Sequence, residues 1–135
     1  MRSHVEFRST AFPAYPGEEE EINPGRFGKR LAEFLAEELK QRGFTVLGIG
    51  AEDWGWQVEL ENEAFPLWVG CGNYEEGENA FLCFIEPSKP IVRKWFKKIE
   101  TSDVVERVAL ALDASLQTSG KVSGIKWWAE DEGRT

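Results

Sequence analysis

Histidine is almost missing from this chain. His4 is the only one among 135 residues, and no serine sits in a nucleophile-elbow pattern, so a classical Ser-His-acid triad has no foundation. Cysteine is nearly as scarce. Cys71 and Cys83 stand alone, and two thiols without a histidine nearby make a poor zinc site. They are expected on neighbouring strands as two small buried core residues in a reducing compartment, with a cross-strand disulfide or redox pair as the alternative. Phosphate-loop and calcium-loop spacings are also absent, so no cofactor or metal is expected. The longest apolar block, Ala80 to Ile85, falls far short of the roughly 20 residues that cross a bilayer. Residues 1–6 lack the apolar run of a signal peptide, which points to the cytoplasm.

Positive charge is missing from a long central stretch. Between Gly43 and Ser88 there are nine carboxylates and no lysine or arginine, within a chain of formal net charge -8. Such a surface repels phosphate backbones, so nucleic acid is not an expected partner and a basic protein is. Five cations then appear together, Lys89, Arg93, Lys94, Lys97 and Lys98. Val92, Trp95, Phe96 and Ile99 recur among them at helical spacing, which predicts a short basic amphipathic helix. Its aromatics suit a membrane surface, but the overall charge opposes one, and no membrane partner is expected.

What is present is a sheet. From Gly43 to Glu86 apolar residues alternate or form short blocks between turn signals, which reads as a meander of antiparallel strands. The period of two puts Trp54, Trp56, Val58 and Leu60 on one side, with Gln57 and Glu59 on the other. The block from Ala80 to Ile85 has no polar member and belongs in the middle of the sheet. Residues 3–10 alternate as an edge strand would, and residues 124–128 supply a last short strand. One helix is expected from Pro24 to Arg42, capped by Asn23 and stopped by Gly43. A second runs from Asp103 to Gln117, with Asp103 and Glu106 in capping-box spacing. Residues 12–22 read as an acidic surface loop and residues 129–135 as an acidic frayed tail. The fold class is therefore α+β: a single domain over residues 1–135, with a mainly antiparallel sheet of five or six strands and two main helices on one face.

Six tryptophans are many for this length, and flat indole faces suit cations, sugars and protein hot spots. The candidate binding surface comprises Glu52, Asp53, Trp54 and Trp56 of the meander, Tyr74, Glu75 and Glu76 of its hairpin loop, Trp95 of the basic segment, and Trp127 and Trp128. The segments AEDWGWQVELEN, LWVGCGNYEE and FLCFIEPSKP resemble small uncharacterised bacterial proteins, over residues 23–128. That resemblance implies a bacterial cytoplasmic origin and carries no activity. Three readings follow. The first is a non-enzymatic acidic binding module, immunity-like or adaptor-like, for a basic protein. The second is a small carboxylate- or metal-dependent hydrolase using Glu52, Asp53 and the loop glutamates in a tryptophan-lined pocket. The third is a homodimer whose open sheet face is only an interface. The lack of catalytic motifs leans against an enzyme.

Overall fold

Alternating apolar residues build the sheet, and the register shows how they share its two sides. The computed structural model describes residues 1–74 and 79–130. Strands β1 (His4–Ser9), β2 (Val46–Glu52), β3 (Gly55–Leu60), β4 (Leu67–Asn73), β5 (Ala80–Glu86) and β8 (Val122–Trp128) form one six-stranded antiparallel sheet in the order β2-β3-β4-β5-β1-β8. A separate two-stranded sheet pairs β6 (Ile91–Lys94) with β7 (Lys97–Glu100). Helices α2 (Lys29–Gln41) and α3 (Ser102–Thr118) cover one face of the large sheet, and α1 (Glu18–Glu21) is a single turn before α2. This is a single-domain α+β fold.

The core lies between that face and the two helices. Val5 and Phe7, Val58 and Leu60, Val69 and Cys71, and Phe81, Cys83 and Ile85 meet Leu31, Leu35 and Leu39 of α2 and Val105, Val108, Leu112 and Leu116 of α3, all buried. The cysteines are register partners across β4 and β5 and fully buried, as the sequence predicts, and both are free thiols. Burial, with the neighbouring Cys71 thiol, pushes the Cys83 thiol well above its usual value. The block Ala80–Glu86 lies between β4 and β1, in the middle of the sheet.

Several expectations are corrected. Residues 4–9 are an interior strand, because β8 returns after α3 and pairs along β1. The segment from Lys89 to Lys98 is a β-hairpin and not a helix: Arg93 pairs with Lys98 and Lys94 with Lys97. Helix α3 begins at Ser102, so the capping box does not form; Glu106 instead meets Arg2 at 2.9 Å. Glu78 and residues 131–135 lie outside the described residues.

Helix α2 begins later than predicted. Residues 23–26 form a turn closed by Arg26 N–H donating to the Asn23 carbonyl, and the Asn23 side chain donates to the Asp53 carbonyl instead of capping a helix. The cap comes from residues 12–22, which are more than a loop. Glu18 is 2% exposed, and its carboxylate accepts hydrogen bonds from the backbone N–H groups of Tyr15 (2.9 Å), Gly28 (2.7 Å) and Lys29 (2.9 Å). A fourth comes from Trp56 Nε1 at 2.9 Å. An anion at the first amides of α2 also suits the helix dipole. At the other end, Phe44 N–H donates to the Leu39 carbonyl and Gly43 N–H to the Lys40 carbonyl. With Gly43 at φ 96 this is a Schellman stop, as the glycine predicts.

Burial alone would raise the Glu18 pKa, but the four donors outweigh it and hold the carboxyl below its ordinary 4.5. The stabilisation is therefore complete above pH 4.5 and is lost as pH falls through the lower folded value. Glu18→Ala orphans the donors and is expected to cost about 3–5 kcal/mol, lowering Tm by about 10–20 °C. Urea melts across acid pH should show a shallower loss of stability in Glu18→Gln than in the wild type.

Candidate binding surface

The helix-free face of the sheet carries the side chains that alternate with the core. Strand register sorts them into rows across the sheet. One row runs Gln57, Gly70, Phe84, His4 and Trp128 across five strands. Beside it lies a second row, Glu59, Trp68 and Glu86. On the other side a third row contains Leu82, Glu6 and Lys126.

Trp54 joins the first two rows from the β2–β3 connection. Glu52 pairs with Gly55, so Asp53 and Trp54 are the two residues of a tight turn and not part of a strand. That breaks the period of two. Trp54 lies on the open face, while Trp56 is buried on the helix face beneath the Lys29 ammonium, 4.9 Å above its ring. The expectation that Trp54 and Trp56 share a side is thus overturned by the turn.

The aromatics make one continuous band. Trp54 stacks on Trp68 with centroids 5.9 Å apart, and both rings meet Phe84, at 4.9 and 5.6 Å. His4 continues it, 5.8 Å from Phe84 and 4.3 Å from Trp128. All five are half-buried. Gly70 makes room for the band: a Cβ there would lie 2.4 Å from Phe84 Cζ and 2.8 Å from Trp54 Cη2. Burial lowers the His4 pKa from 6.5 against the opposing pull of Glu130, which favours the neutral ring beside its aromatic neighbours. The Ser3 hydroxyl lies 2.8 Å from His4 Nδ1, but Ser3 is fully buried and unavailable as a nucleophile.

The other sequence candidates scatter. Glu52, at the end of β2, and Asp53, in the turn, are both exposed. Tyr74 is half-buried beyond the end of β4, where its N–H donates to the Ala80 carbonyl. Trp127 faces α3, donating from Nε1 to Asp113 at 2.9 Å under the Arg2 guanidinium. Trp95 is at the tip of the hairpin that forms the separate two-stranded sheet, outside the aromatic band. Glu75 and Glu76 lie outside the described residues. Trp54 and Trp128 alone of the candidates sit in the aromatic band. Among the described residues no three histidine, cysteine or acidic side chains group closely enough to hold a metal ion.

Sequence reasoning missed Trp68, Phe84, His4, Glu59 and Glu86 as a group. Parity within the strands placed each on a side. The pairing of strands, which creates the rows, is not written in any one segment. The chain matches no protein-family model, no curated protein and no solved structure at a significant level.

The Gly70 slot can be tested against a neighbour. Gly70→Ala is expected to destabilise by about 1–3 kcal/mol and to alter the near-ultraviolet dichroism of the stacked indoles. Gly48→Ala, whose added Cβ meets nothing within 4 Å, should change stability by no more than about 0.5 kcal/mol.

Proposed function

We propose that the helix-free face is a binding surface for a basic protein segment, with Trp68 as its centre. The observation that carries this reading is the row Glu59, Trp68 and Glu86. It presents a half-exposed indole between two carboxylates, and none of the three has a cationic partner among the described residues. An aromatic face attracts a lysine or arginine through its quadrupole, and flanking carboxylates accept the hydrogen bonds of the same group. The band of Trp54, Phe84, His4 and Trp128 then offers flat apolar area beside the charged contact, the usual company of a protein hot spot.

The reading makes the protein a non-enzymatic binding module, adaptor-like or immunity-like, with specificity for a cationic partner. The surface runs across several strands, and its carboxylates stand apart on β3 and β5 with β4 between them. That geometry suits a protein better than a small substrate, which takes an enclosed site.

A synthetic oligo-arginine peptide is a sufficient probe, followed by calorimetry and tryptophan fluorescence at low salt. Glu59→Gln/Glu86→Gln is expected to weaken binding about tenfold, and Trp68→Ala to a similar degree. A control, Glu20→Gln/Glu21→Gln, alters exposed carboxylates of α1 and should leave affinity within about twofold after the general charge effect is screened. Equal weakening by both pairs would mean that only net charge attracts the peptide and would overturn the reading.

A further inference from the structure

The β6–β7 hairpin has its own chemistry, independent of the open sheet face. Lys94 pairs with Lys97, leaving Trp95 and Phe96 as a two-residue turn. Trp95 is 88% exposed and Phe96 99%, so neither side chain packs on the body of the protein. At the base the opposite holds, since Val92 and Ile99 pack against the core and Thr101 N–H donates to the Pro90 carbonyl. The hairpin is anchored at one end and presents two bare aromatics at the other.

Its tip is built against its own stability. Trp95 occupies the left-handed region at φ 60, in the turn position that glycine usually takes. Behind it the register opposes Arg93 to Lys98 and Lys94 to Lys97, two like-charge pairs placed directly across from each other. All four cations are exposed, and none forms an ion pair among the described residues. An external anion would relieve both pairs.

The distribution of these cations indicates the shape of that anion. Neighbours on a strand point to opposite faces, so Arg93 and Lys98 share one face of the hairpin while Lys94 and Lys97 share the other. The charge forms a collar on both sides of the tip and not a stripe along one side. A protein groove or a nucleic-acid strand would engage one face. A collar behind an aromatic tip fits end-on contact with a plane, where aromatic rings enter the interface and cations meet headgroup phosphates. We propose that the β6–β7 hairpin is an end-on anchor for the surface of an anionic phospholipid bilayer.

The net charge of -8 argues against membrane contact for the chain as a whole. Distance limits that objection. Beyond Val92 and Ile99, which pack against the core, two residues of each strand and the turn project by about 7–10 Å, comparable to the electrostatic screening length of about 8 Å in physiological salt, so the tip meets a surface with the repulsion of the acidic body reduced. Contact is superficial: among the described residues no helix is long and apolar enough to cross a membrane.

The test is co-sedimentation and tryptophan emission of the whole protein with vesicles of phosphatidylcholine alone or mixed with phosphatidylglycerol. Binding with a blue shift is expected only on the mixed vesicles. Lys94→Gln/Lys97→Gln should weaken it about thirtyfold. Trp95→Gly/Phe96→Ser should abolish the blue shift while Tm stays level or rises, because glycine suits the positive φ at the turn. That second variant separates loss of contact from loss of fold. No binding to the mixed vesicles, binding that survives Trp95→Gly/Phe96→Ser, or tighter hairpin-dependent binding to a single-stranded oligonucleotide or an acidic peptide would each overturn the proposal.

Discussion

A single buried carboxylate holds together parts of the protein that share little else. Glu18 accepts from the turn before it at Tyr15, from the first amides of α2 at Gly28 and Lys29, and from the indole of Trp56 in β3. An ionised group without such donors would be costly to bury, and amides at a helix start would otherwise need water or a local cap. Here each problem solves the other. The position of α2 on the sheet, and with it the core shared with α3, follows from where that carboxylate sits.

Committing both helices to one face leaves the other face to be finished by its own side chains. The solution is lateral: indole, phenyl and imidazole rings lean on one another across strands, with Gly70 giving them room. Such a face excludes much water without a second layer, yet keeps aromatic area accessible beside Glu59 and Glu86. Four exposed cations, Arg93, Lys94, Lys97 and Lys98, are held on a hairpin outside the large sheet.

Much of the architecture was legible in the sequence because its signals are local. The Gly43 stop, the apolar stripes of both helices, the central block at Ala80 and the buried cysteines each depend on residues close in the chain. The errors have equally physical causes. Spacing of Val92, Trp95, Phe96 and Ile99 fits a helix as well as two short strands, and the turn between those strands lacks the Asn-Gly or Asp-Gly pair that announces a hairpin. Glu18 looked like one of four interchangeable surface glutamates, since three of its four donors come from residues 10, 11 and 38 positions further on. The aromatic band was invisible for a related reason: a row across a sheet exists only after the strands have chosen their neighbours.

The position of β1 also bears on the history of each molecule. Both of its edges are bonded to strands that follow it at long distance in the chain, β5 at Ala80–Glu86 and β8 at Val122–Trp128. Until those residues emerge from the ribosome, Val5 and Phe7 have no sheet to join. The nascent chain must therefore carry β1 unpaired until β5 has been made, and the sheet can close only by joining distant segments, a step that long-range loop closure makes slow.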